Sequence, residues 1–275
     1  MIGRAPEIWI GEDQDALARE GARRIAEAAK KCIASRGRFV LALAGGNTPR
    51  RLYKHLAEMQ SIDWRRIEVF FSDERMVAHD SPESNFRMAR ETLLDHVPVP
   101  KSQIHAAPTS LPIEEAASAY EKTLRSVLPA DEPRIDLALL GMGSDGHTAS
   151  IFPNSRLLYG MDDDFLLDDP VSGPIQSLRP LPSLETFPHE RLIAAVTDAP
   201  KPPPERLTMT PYVLNLARYV VVLVAGDDKV AAVSAALESD ARVAEIPIRA
   251  ISPGAGELVW LLDRRAARAL GTPPM

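Results

Sequence analysis

The chain has 275 residues, 45% hydrophobic and 25% charged, with a formal net charge of -6 and one cysteine, Cys32. This composition is ordinary for a globular protein, and its acidic balance argues against a nucleic-acid partner, which wants a basic surface. No apolar run approaches the roughly eighteen residues of a membrane span, the first residues lack a basic-then-apolar leader, and one thiol excludes an internal disulfide framework, so a cytosolic protein with no membrane partner is expected.

Taken in chain order, the pattern alternates. Glu7 to Ile10 reads as a short strand, and Asp13 opens a helix running to about Ser35. Arg38 to Ala44 is a second strand, ending in Ala44-Gly45-Gly46-Asn47-Thr48-Pro49. Gly45 and Gly46 allow a tight turn, Asn47 or Thr48 can cap the following helix, and Pro49 suits its first position. Free amides at such a helix start favour an anion such as phosphate. That helix runs to about Met59, and Ile67 to Phe71 is a third strand. Ser72-Asp73-Glu74-Arg75 follows, putting charged side chains where an α/β sheet places its ligand crevice. Helices near Glu83 to Leu94 and Ile113 to Val127 precede a buried strand ending at Leu140.

That strand empties into Gly141-Met142-Gly143-Ser144-Asp145-Gly146-His147-Thr148-Ala149-Ser150. The glycines match GxGxxG, but Pro153 and Asn154 cut the following helix to little more than two turns, and no strand-end acid follows. Ser144 resembles a nucleophile elbow, yet Met142 takes the place of its first glycine. What remains is His147, whose ordinary pKa of about 6.5 suits proton transfer near neutrality. The other histidines show no metal-ligand spacing, so no catalytic metal is expected. Residues from about 154 to 190 read as a long loop or insertion within a single domain. Beyond it come a strand at Arg191 to Val196, a proline-stiffened connector, Arg206, and a helix near Thr208 to Ala217. A strand at Tyr219 to Val224 leads to Lys229 and a helix near Asp228 to Ala236. Leu258 to Leu262 is the last strand and Arg264 to Leu270 the last helix. Alternation of this kind predicts an open, doubly wound α/β fold: a mostly parallel sheet with helices on both faces.

The Gly-Gly-Asn-Thr-Pro turn, Ser72-Asp73-Glu74-Arg75 with Ser84-Asn85, the run from Gly141 to Pro153, and Thr197 to Arg206 together resemble the 6-phosphogluconolactonase family. Asn215, Lys229 and Trp260-Leu261-Leu262-Asp263 extend the likeness over most of the chain. Asn47 departs from the serine usual in the family, and the segment from about Leu157 to Glu190 is longer. The resemblance implies a modified Rossmann fold like that of glucosamine-6-phosphate deaminases. It implies hydrolysis of 6-phospho-D-glucono-1,5-lactone to 6-phosphogluconate in the oxidative pentose phosphate pathway, with no cofactor. His147 would be the general base on water, with Asp145 or Asp73 orienting it or the sugar. Arg75, or amides at Gly45-Gly46 or around Gly143, would meet the oxyanion. Arg206, Lys229 and the helix start at Thr48 would hold the phosphate. Two alternatives stay open: a glucosamine-6-phosphate isomerase-deaminase, which would release ammonia, and a non-catalytic sugar-phosphate sensor, which has no need of His147.

Overall fold

The computed structural model describes residues 5–129, 133–158 and 191–271. In chain order it holds β1 (Glu7–Gly11), α1 (Gln14–Arg36), β2 (Phe39–Leu43), α2 (Asn47–Glu58), β3 (Ile67–Phe71), β4 (Asp73–Arg75), α3 (Asn85–Thr92), α4 (Ile113–Val127) and β5 (Leu137–Gly141). There follow β6 (Ile193–Val196), β7 (Arg206–Met209), α5 (Pro211–Leu216), β8 (Tyr219–Val224), α6 (Val230–Glu238) and β9 (Glu257–Asp263). Among the described residues, a six-stranded sheet runs β1-β9-β8-β5-β2-β3, with every neighbouring pair parallel.

The central strands are apolar throughout because both faces are covered. Side chains alternate across a strand, so Val40 and Ala42 join Ala138, Leu140, Val220 and Val222 in one core with α4, α5 and α6. Phe39, Leu41 and Leu43 join Leu137, Leu139 and Val221 in the other, with α1, α2 and α3. Helix α1 starts where the Asp13 carboxylate accepts from Asp15 N and Ala16 N, and stops at Gly37, whose φ of 78° is left-handed. The strand order reverses at β2 and β5. Their carboxyl ends open the crevice in which such folds bind ligands.

The structure corrects the sequence reading in several places. Ile193–Val196 is shorter than expected and does not join the parallel sheet. It pairs antiparallel with β7, which pairs antiparallel with β4, in a separate sheet ordered β4-β7-β6. Strands of three or four residues are too short to show a period. Thr208 therefore belongs to β7, and the helix after it begins at Pro211 behind a Thr210 cap. No helix follows Gly146; the chain turns there and makes a Thr148–Ile151 bridge. Arg264 to Leu270 is a series of turns rather than a helix, begun by the Asp263 carboxylate accepting from Ala266 N at 2.8 Å. Pro49 is the third residue of α2, and its N-cap is Gly46, with φ of 98° and no side-chain cap. From residue 159 onward the expected long loop lies outside the described residues.

Candidate active site

A cavity of about 440 Å³ lies over the carboxyl ends of β2, β3, β5 and β8. It collects nearly every side chain singled out in the sequence: Gly45, Gly46, Asn47, Thr48, Asp73, Arg75, His147, Arg206 and Lys229. Asp145, outside that lining, touches the cavity's imidazole, and Glu74 does not reach the cavity.

His147 is presented by a turn closed by Gly143 N donating to His147 O at 2.8 Å and Gly146 N donating to Gly143 O at 3.1 Å. Thr148 Oγ1 donates to Gly141 O at 2.8 Å, tying the turn to the end of β5. Asp145 Oδ1 hydrogen-bonds His147 Nδ1. With the carboxylate ionised, Nδ1 carries the hydrogen, and Nε2 keeps the lone pair. Phe152 packs on the imidazole, the ring centroids 4.6 Å apart. Burial pushes the His147 pKa below its ordinary value; Asp145 opposes that shift and Lys201 adds to it. Burial would raise the Asp145 carboxyl, but hydrogen bonds from Lys201 and His147 hold it well below the usual range.

The two candidate carboxylates have separate places. Asp73 accepts from Ser150 Oγ at 2.7 Å and from Asn85 Nδ2 at 3.2 Å. Ser150 N also donates to Thr208 Oγ1 at 3.2 Å, so the His147 turn is fastened to both β4 and β7. Glu74, expected to face the crevice, does not. On a strand its neighbours point one way and it points the other. Buried, it accepts from Asn85 N and Phe86 N, both at 2.8 Å, and from Ser84 Oγ at 3.1 Å. It thereby caps the start of α3 alongside Ser84.

Arg75 and Arg206 stand opposite each other in the β4–β7 register. Directly opposed like charges destabilise a sheet. Arg206 accordingly has a lowered pKa, from burial first and from Arg75 second. Arg75 Nη1 donates to Glu83 O at 2.5 Å, while its buried Nε has no hydrogen-bond partner. Arg206 also serves the loop before it: Nε donates to Pro203 O at 3.0 Å and Nη2 to Lys201 O at 2.9 Å. Lys229 lines the cavity from the turn after β8 and pairs with Asp228 at 3.0 Å. Of the amides proposed for an oxyanion, that of Gly143 is spent on His147 O. Those at the uncapped start of α2 border the cavity.

Sequence reasoning missed Ser150, Phe152 and Lys201 as working parts of the site. Each sat inside a quoted motif, but what it touches depends on folding.

The family model described as "Glucosamine-6-phosphate isomerases/6-phosphogluconolactonase" matches residues 12–172 and 175–260. A 6-phosphogluconolactonase from a Synechocystis strain is 37% identical, spanning 97% of this chain and 99% of the relative. The human 6-phosphogluconolactonase is 36% identical over 92% of this chain and 89% of the relative. The solved 6-phosphogluconolactonase of Trypanosoma brucei superposes with a TM-score of 0.77 at 29% identity, covering 97% of this chain and 99% of that one.

Proposed function

This chain belongs to the family of glucosamine-6-phosphate isomerases and 6-phosphogluconolactonases, and from that premise we infer its chemistry: hydrolysis of 6-phospho-D-glucono-1,5-lactone to 6-phosphogluconate, with His147 as the general base. The enzyme is a lactone hydrolase of the oxidative pentose phosphate pathway. The observation that carries the role of His147 is its hydrogen bond to Asp145 through Nδ1 within a ligand-sized cavity. That leaves Nε2 as the basic nitrogen.

Water, deprotonated by Nε2 as it attacks, adds to the lactone carbonyl carbon. The bond from that carbon to the ring oxygen then breaks, and the imidazolium returns its proton to the departing oxygen. General-base help of this kind contributes about 10²–10⁴-fold. The amides opening α2 suit the charge developing on the carbonyl oxygen. The phosphate is seated by Arg206 with Arg75, whose mutual repulsion a dianion relieves. Lys229 and the start of α2, which also line the cavity, add positive potential. Anchoring the phosphate fixes the ring for attack, a proximity effect.

Freshly generated lactone, assayed by a coupled reaction and corrected for spontaneous opening, tests this. His147→Ala is expected to lower kcat by a factor of about a hundred or more while 6-phosphogluconate still binds. Normal turnover by that variant would end the general-base role. Ammonia release from glucosamine 6-phosphate by the native protein would instead favour deaminase chemistry.

A further inference from the structure

We propose that Lys201 is a positioning residue for the His147 base: its ammonium occupies the outer oxygen of Asp145 and lies against Nδ1 of the imidazole, anchoring the carboxylate that orients the ring and opposing a second proton. The idea rests on the reading of His147 as the base and adds a residue to that machinery.

The geometry is specific. Lys201 Nζ is 2.9 Å from Asp145 Oδ2, while the other oxygen, Oδ1, serves His147. The same Nζ is 3.3 Å from His147 Nδ1. When Nδ1 already bears a hydrogen, that short approach is not a hydrogen bond; it is a cation against the ring edge. Asp145 alone creates a difficulty for a base. A carboxylate beside an imidazole favours the imidazolium, which cannot accept a proton. A cation on the carboxylate's far oxygen offsets that attraction without displacing the orienting hydrogen bond.

The other groups near the ring do not supply this balance. Asp73, from β4, also favours a protonated ring. Arg206, from β7, sits over the Phe152 ring, its guanidinium carbon 5.4 Å from that ring's centroid. Ile246, which packs on Gly146, is apolar.

Lys201 is also held in place, although half of its side chain is exposed. Arg206 grips the carbonyls of Lys201, Pro202 and Pro203, and Met76 N donates to Glu205 O at 3.0 Å. The backbone under the lysine is thus latched to the β4–β7 sheet by the same arginine that faces the phosphate.

Two measurements on the full-length enzyme test the proposal, using Lys201→Met and Lys201→Arg. One is the titration midpoint of the His147 imidazole, followed by NMR of isotope-labelled histidine without substrate. The other is the pH dependence of kcat/KM. In Lys201→Met the midpoint is expected to rise by about half to one pH unit, a modest shift because the lysine is partly solvated. The acid limb of kcat/KM, set by loss of the neutral base, should move to higher pH by the same amount. Lys201→Arg, which keeps the charge, should bring both back towards the native values.

A midpoint that stays put or falls in Lys201→Met overturns the proposal, whatever happens to the rate. So does a rise in KM alone with an unshifted pH profile, which would make Lys201 a substrate contact. A raised midpoint with an unmoved acid limb would uphold the lysine's hold on the imidazole and refute His147 as the base. The two readings therefore fail in distinguishable ways.

Discussion

Gly143 shows how closely a single residue is specified at this site. A Cβ built on it would lie 2.0 Å from His147 Nδ1 and 2.3 Å from Asp145 Oδ1. No heavy atom fits there, so any side chain must break the Asp145–His147 hydrogen bond or swing the ring. Gly146 is glycine for another reason: its φ of 77° is left-handed. Gly143 is not in that region, so Gly143→Ala should leave the backbone content. The expected outcome is a kcat lowered by about a hundredfold or more with a nearly unchanged urea midpoint. A matching loss of stability would show instead that the turn collapses. The glycine pattern was legible in the sequence. Its reason was not, because the obstructing atoms belong to side chains whose direction the sequence leaves open.

Among the elements, β4 has the most to say about reading charge from sequence. Its three residues are all ionisable, and the strand's alternation divides them between two tasks. Asp73 and Arg75 line the cavity, while Glu74 is buried against the start of α3. Burial raises the Glu74 carboxyl above its ordinary value even though backbone amides of Phe86, Asn85 and Arg75 all donate to it. Glu74→Gln places an amide NH₂ where acceptors are required. It should cost about 2–3 kcal/mol, the penalty for buried donors left unsatisfied at a charged partner, read as a lower urea midpoint. An unchanged midpoint would contradict the capping role. Sequence analysis placed a helix start near Glu83 but gave Glu74 to the ligand crevice. A three-residue strand carries no periodic signal by which to separate its faces.

For the whole molecule, the site exists only because two sheets meet. The parallel sheet delivers the turns after β2, β5 and β8, and the antiparallel β4-β7-β6 sheet delivers the opposed arginines. Arg75 is the cleaner probe of the proposed phosphate seating, since Arg206 also holds the Lys201 loop. A ligand that binds only the native state raises thermal stability, by about 2.7 kcal/mol at a hundredfold excess over Kd. 6-Phosphogluconate should therefore raise the Tm of the native enzyme by several degrees, on the order of 2–4 °C per kcal/mol, and raise that of Arg75→Ala distinctly less. An equal rise in both would remove Arg75 from the phosphate site. No helix among the described residues is long and apolar enough to cross a membrane.

The sequence by itself determined most of the alternating elements, the doubly wound parallel sheet and the family, because periodicity, caps and glycine motifs are local and survive without a partner. It also placed His147, on a turn whose shape is written in neighbouring residues. The tertiary structure alone decided which carboxylate serves the imidazole and which side chains back it. Ser150 reaches Asp73 across 77 positions and Lys201 reaches His147 across 54. Contacts of that span depend on how strands register and sheets abut, and a side chain's partner is fixed only when the opposing backbone arrives.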